Sequence, residues 1–99
     1  MGKAVCVIAR AVAKPGREEE LRALLTGMLT PTRAEPGCNF YRLFGAQEHG
    51  RFYFYELWES KAALKSHAAS THFKELERKL QEVLGEPFEV SLVQEIGSE

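Results

Sequence analysis

Two histidines, a carboxylate and a tryptophan carry the chemistry this 99-residue chain can offer, and all fall between Arg51 and Phe73, RFYFYELWESKAALKSHAASTHF. A neutral imidazole at His67 is suited to act as general base or to orient a substrate oxygen; otherwise it is a half-exposed histidine bonded to backbone at a helix end. Glu56 offers an acid/base carboxylate, with a structural ion pair to Arg10 or Arg42 as the competing role. Trp58, Phe54 and Phe52 can floor a cleft under helices, or simply fill a core. Phe54, Glu56, Arg42 and His72 are the candidates for substrate contact beside Trp58 and His67. Arg42 and Asn39 point to opposite faces of one strand, so at most one of them reaches the cleft. His67 and His72 are five residues apart, about 140° around a helix, which does not make a same-face metal pair unless a break near Ala69-Ser70 reorients them. The chain has no G-x-G-x-x-G, phosphate loop or HExxH. No metal and no cofactor is therefore expected.

These side chains need elements to hold them. Phe52, Phe54, Glu56 and Trp58 alternate with Tyr53, Tyr55 and Leu57, so a strand over 51–59 has two faces that are costly to leave in water. Residues 4–13 and 38–46 read as further strands, and 88–95 as a last one. Leu21, Leu24, Leu25, Met28 and Leu29 recur at helical spacing after Arg17, with Glu18, Glu19 and Glu20 near the helix start, where the dipole favours them. Gly27 and Pro31 weaken or kink its far end. Ser60 is a good N-cap for a helix over 61–68, and Ser70 or Thr71 for one over 73–84, closed by Gly85. Glu48-His49-Gly50 connects strands two and three as a hairpin.

The order is βαββαβ, which favours an α+β, ferredoxin-like split βαβ fold. It has a four-stranded antiparallel sheet, both helices on one face, and the first and third strands in the centre. The other face would still expose Tyr53, Tyr55 and Leu57. A second copy packed sheet against sheet is the expected cover, giving a homodimer built as a dimeric α/β barrel.

Composition sets the class. The chain is 44% apolar and 27% charged with a net charge of −1, so residues 1–99 read as one soluble domain. No basic patch suits nucleic acid. Cys6 and Cys38 lack CxxC spacing and read as free thiols of a reducing cytosol. Nothing near the N-terminus is long enough to be a leader or a span, so a cytoplasmic protein without membrane contact is expected.

Glu35-Pro36-Gly37-Cys38, the strand ending Glu56-x-Trp58-x-Ser60, Ala63-Leu64-x-x-His67 and Ser70-x-His72-Phe73 together resemble the antibiotic biosynthesis monooxygenase family. That resemblance implies a small dimeric α+β barrel in which Trp58 and His67 border a pocket between sheet and helices. It also implies a cofactor-independent oxygenase that deprotonates a small aromatic phenol or quinol and lets the anion reduce O₂. The family that the chain resembles also includes haem-degrading enzymes and an isomerase of phosphorylated autoinducer-2. Phe54 stands where the polyketide branch has Asn, and CVIAR lacks the Asn of the haem-degrading branch. The RFYFYE strand looks closer to the isomerase branch, which handles a phosphorylated hydroxyketone and would need Arg10 or Arg42 at the pocket. A non-catalytic dimeric module binding a small ligand is the third reading.

Overall fold

Alternation along the strands decides which side chains are buried. In the computed structural model, which describes residues 3–97, β1 (Val5–Val12), β2 (Cys38–Gly45), β3 (Arg51–Trp58) and β4 (Glu89–Val93) form one sheet in the order β2-β3-β1-β4. All three neighbouring pairs are antiparallel. The first and third strands are central, as the both-face apolar pattern predicts. Phe52, Phe54, Glu56 and Trp58 all point inward and are buried. The partners Val5, Val7, Ala9 and Ala11 of β1 are buried on the same face.

Helices α1 (Glu18–Thr26), α2 (Leu29–Arg33), α3 (Lys61–Ala68) and α4 (Thr71–Leu80) cover that face. Leu21, Leu25 and Met28 descend from the first helical run, Leu76 and Leu80 from α4, and join one core with the sheet residues. The run expected to continue from Arg17 to Leu29 instead breaks at Gly27-Met28. Pro31 then lies in the first turn of α2, where its missing N–H leaves no intrahelical bond unmade. The last helix begins at Thr71 and ends at Leu80, short of the expected Leu84, because residues 81–84 turn back so that Leu84 bridges Ala13. Ser60 caps α3 by accepting from the Ala63 N–H, so the 61–68 reading holds to the residue.

A register shift between Cys38 and Phe40 marks a bulge in β2. It sets Tyr41 beside Glu56 on the helix side and Arg42 beside Tyr55 on the opposite side. Among the described residues no helix lies over that opposite side: Ile8, Phe44, Tyr55 and Val93 remain well exposed there, and the Phe40 and Tyr55 rings meet at 4.9 Å. No helix among the described residues is long and apolar enough to cross a membrane.

Candidate functional site

Small side chains in the middle of β1 leave a hollow under the helices. Val7 and Ala9 form its floor with Phe54 of β3 and Val90 of β4, and Leu64, Phe73 and Leu80 its roof. The cavity measures about 570 Å³, within the usual range for small-molecule sites. Its polar groups are few. Glu56, Tyr41 and His67 gather at one end, Glu77 and Gln81 belong to α4 and the turn after it, and among the described residues no Lys or Arg lines it.

Glu56 and Trp58 are two apart on one strand face and therefore neighbours, and the indole Nε1–H donates to Glu56 Oε1 at 2.8 Å. The ion pair to Arg10 or Arg42 weighed for this carboxylate is not formed. Arg10 lies near Glu86 and Glu89 at 3.1 and 3.4 Å. Arg42 rests over the Phe40 ring at 4.8 Å on the far face of the sheet. Arg42 therefore does not reach the cleft as a substrate contact; the bulge sends it the other way. Burial pushes the Glu56 carboxyl up to about 7, with the Trp58 hydrogen bond opposing and the Glu35 charge adding to the rise. Beside it, burial and the Glu56 charge drive the Tyr41 phenol far above its ordinary range, so it stays protonated. Trp58 is fully buried and does not line the cavity itself, but it meets two of the lining residues, Glu56 and His67.

His67 is the second-to-last residue of α3 and is buried, with its ring 4.7 Å from Trp58 and 5.0 Å from Phe73. Burial lowers its pKa, against a raising influence from Glu35, so the ring is neutral at pH 7. The chain bends directly after it. Ser70 Oγ donates to the His67 carbonyl at 2.6 Å and accepts from the Phe73 N–H at 3.3 Å, closing one helix and opening the next. That bend brings His72 round to His67, with ring centroids 6.0 Å apart. The two histidines thus converge, contrary to the straight-helix spacing, through the break at Ala69-Ser70.

They converge on Glu35. Its Oε2 lies 2.8 Å from His67 Nδ1 and 2.6 Å from His72 Nε2. Glu35 is the site residue that sequence reasoning misses. In the sequence it is only part of the Glu35-Pro36-Gly37 punctuation, 32 and 37 positions from its partners. Gly37 explains the approach of this loop, because a Cβ there would collide with Ala63 Cβ of α3. Glu35, His67 and His72 have the donor types of a metal site, with ligand atoms within 4.8 Å of one another. Both nitrogens, however, stand at hydrogen-bond length from a single carboxylate oxygen, which can only accept.

A ferredoxin-like α+β sheet, one face roofed by helices around an apolar cavity with a buried acid/base end, defines the class. Similarity to known proteins then gives the family. The model of the family described as "Antibiotic biosynthesis monooxygenase" matches residues 4–79, and the chain belongs to that family. It is 38% identical over 93 residues to "Putative monooxygenase Rv0793" of Mycobacterium tuberculosis, covering 94% of this chain and 92% of that one. The solved structure of Rv0793 superposes with a TM-score of 0.90 at 35% identity, covering 97% of this chain and 98% of that chain. That of PA3566 from Pseudomonas aeruginosa does so with 0.89 at 30% identity and 98% coverage of each.

Proposed function

We propose that this protein is a cofactor-independent monooxygenase that oxidises a small, neutral phenol or quinol with O₂ in the cavity between sheet and helices. One observation carries the reading: an apolar hollow whose acid/base end is made by Glu56, His67 and Tyr41, with no Lys or Arg among the described residues of its lining. The neutral His67 accepts the substrate hydroxyl proton, and the Tyr41 phenol and Glu56 carboxyl hydrogen-bond the substrate oxygens. Deprotonation makes the ring electron-rich enough to reduce O₂ directly. For a quinol, one oxygen atom enters the ring and the other leaves as water, giving a hydroxyquinone and consuming one O₂; the quinol supplies all the electrons. The apolar walls hold the reactants together and keep bulk water from the anion.

A second copy of the chain covers the exposed face carrying Ile8, Phe44 and Tyr55, making a homodimer that leaves one cavity per protomer. The half-buried free thiols Cys6 and Cys38 suit a cytoplasmic setting. The isomerase reading is disfavoured by charge. A phosphorylated hydroxyketone needs cations, and Arg10 is engaged by Glu86 and Glu89 while Arg42 faces away.

The test is oxygen-electrode measurement with a panel of quinols after dialysis against chelator and without flavin. O₂ uptake that falls at least about a hundredfold in His67→Ala is expected. Binding of quinones with no uptake would favour a ligand-binding module, and turnover of a phosphorylated hydroxyketone under argon would favour the isomerase.

A further inference from the structure

We propose that Glu35 is the positioning residue of this site, holding His67 with its proton on Nδ1 so that a bare Nε2 faces the cavity, with His72 as second donor to the same oxygen. The inference rests on the reading of His67 as the base and goes further by fixing its tautomer and counter-charge.

Four observations lead there. Glu35 Oε2 lies 2.8 Å from His67 Nδ1 and 2.6 Å from His72 Nε2, and a carboxylate oxygen, which only accepts, takes an N–H from each ring. A neutral imidazole carries one N–H, and burial keeps His67 neutral; its Nε2 is then unprotonated. His67 lines the cavity whereas Glu35 does not, lying instead with Pro36 and Gly37 against the far side of Trp58 and α3. The Nδ1 edge therefore points back into the protein and the opposite edge toward substrate. Lastly, exposure rises along the chain of contacts, with side chains 4% exposed at His67, 14% at Glu35 and 26% at His72.

The arrangement has a direct chemical consequence. When Nε2 takes the substrate proton, the imidazolium forms 2.8 Å from a carboxylate in a site of low dielectric, where the pairing is strong. Glu35 acts through His67 and never touches substrate. His72 clamps the shared oxygen from the wetter side, so the carboxylate keeps its orientation. The other groups facing His67 are Tyr41 from β2 and, through Trp58, Glu56 from β3. Neither contacts Nδ1 among the described residues, so Glu35 alone sets which nitrogen holds the proton.

Long-range ¹H–¹⁵N spectra of the full chain labelled at histidine test this without any substrate, so failure of the oxygenase reading leaves the outcome decisive. The wild type is expected to show His67 with protonated Nδ1 and imine-type Nε2 at neutral pH. In Glu35→Gln, whose amide can donate or accept, that single tautomer should give way to a mixture. With an active quinol, kcat should fall roughly tenfold to a hundredfold with KM within about twofold. The acid limb of the kcat profile should move to lower pH, because the group that raises the His67 pKa has lost its charge. His72→Gln, whose amide can still donate to Glu35 Oε2, should retain the Nδ1–H tautomer of His67. A wild-type His67 protonated on Nε2 would overturn the proposal, whether or not the variants fold. So would a Glu35→Gln protein with unmoved tautomer and pH profile, or stoichiometric Zn²⁺ binding that displaces both imidazole protons.

Discussion

Replacing Glu56 with Gln should remove a pH-dependent weakness built into the core. The carboxyl is buried, accepts one hydrogen bond from the Trp58 indole, and has its pKa pushed from 4.5 to about 7. A carboxyl that binds its proton more tightly folded than unfolded favours the folded state fully below about 4.5. That advantage is lost progressively as pH rises through about 7. The gap corresponds to about 3 kcal/mol between pH 4 and pH 8.5, a large part of the stability of a domain this size. Glutamine has the same shape and can still accept from Trp58 Nε1, but it cannot ionise. Urea unfolding of both proteins across this range isolates the effect, since His67 and the surface carboxylates titrate in each. The difference curve should favour the Glu56→Gln variant by about 3 kcal/mol more at pH 8.5 than at pH 4. Parallel curves would show that Glu56 ionises at an ordinary pH and would remove the acid/base end from the account.

Trp58→Ala should cost about 3–5 kcal/mol by denaturant unfolding, since a fully buried indole is removed together with a hydrogen bond to a buried carboxyl. Ile8→Glu, placed on the uncovered face of central β1, should convert the proposed dimer, at twice 11.2 kDa, to a monomer in light scattering. A wild type already at the monomer mass would refute the proposed assembly. Gly37→Ala should push the 34–37 loop off Ala63 of α3, costing about 1–3 kcal/mol and loosening Glu35 from both histidines, seen as loss of their tautomer preference by NMR.

Much of this architecture is legible in the sequence because it rests on short periods. Alternation from Phe52 to Trp58 identifies the buried face, and apolar character on both faces of strands one and three puts them in the centre. Ser60 and Ser70 mark helix starts through side-chain chemistry that acts within three residues. The rest is long-range or broken by irregularity. The bulge near Asn39 reverses the facing of β2, which sends Arg42 away from the cleft and Tyr41 into it. The break at Ala69-Ser70 turns two histidines that a continuous helix would separate onto a common partner. Glu35 reaches them only through tertiary packing, made possible by Gly37 against Ala63. Its motif signals a turn but carries nothing about its partners. The Trp58–Glu56 bond is more accessible, since residues two apart on a strand share a face, yet an ion pair to arginine competes for the same carboxylate.

The measurement closest to the central claim is mass spectrometry of the product formed from a neutral quinol under ¹⁸O₂. One labelled oxygen is predicted in the hydroxyquinone, with one O₂ consumed per product and loss of labelled product in His67→Ala. Product carrying only unlabelled oxygen from water, or formed equally well by the His67 variant, would contradict it.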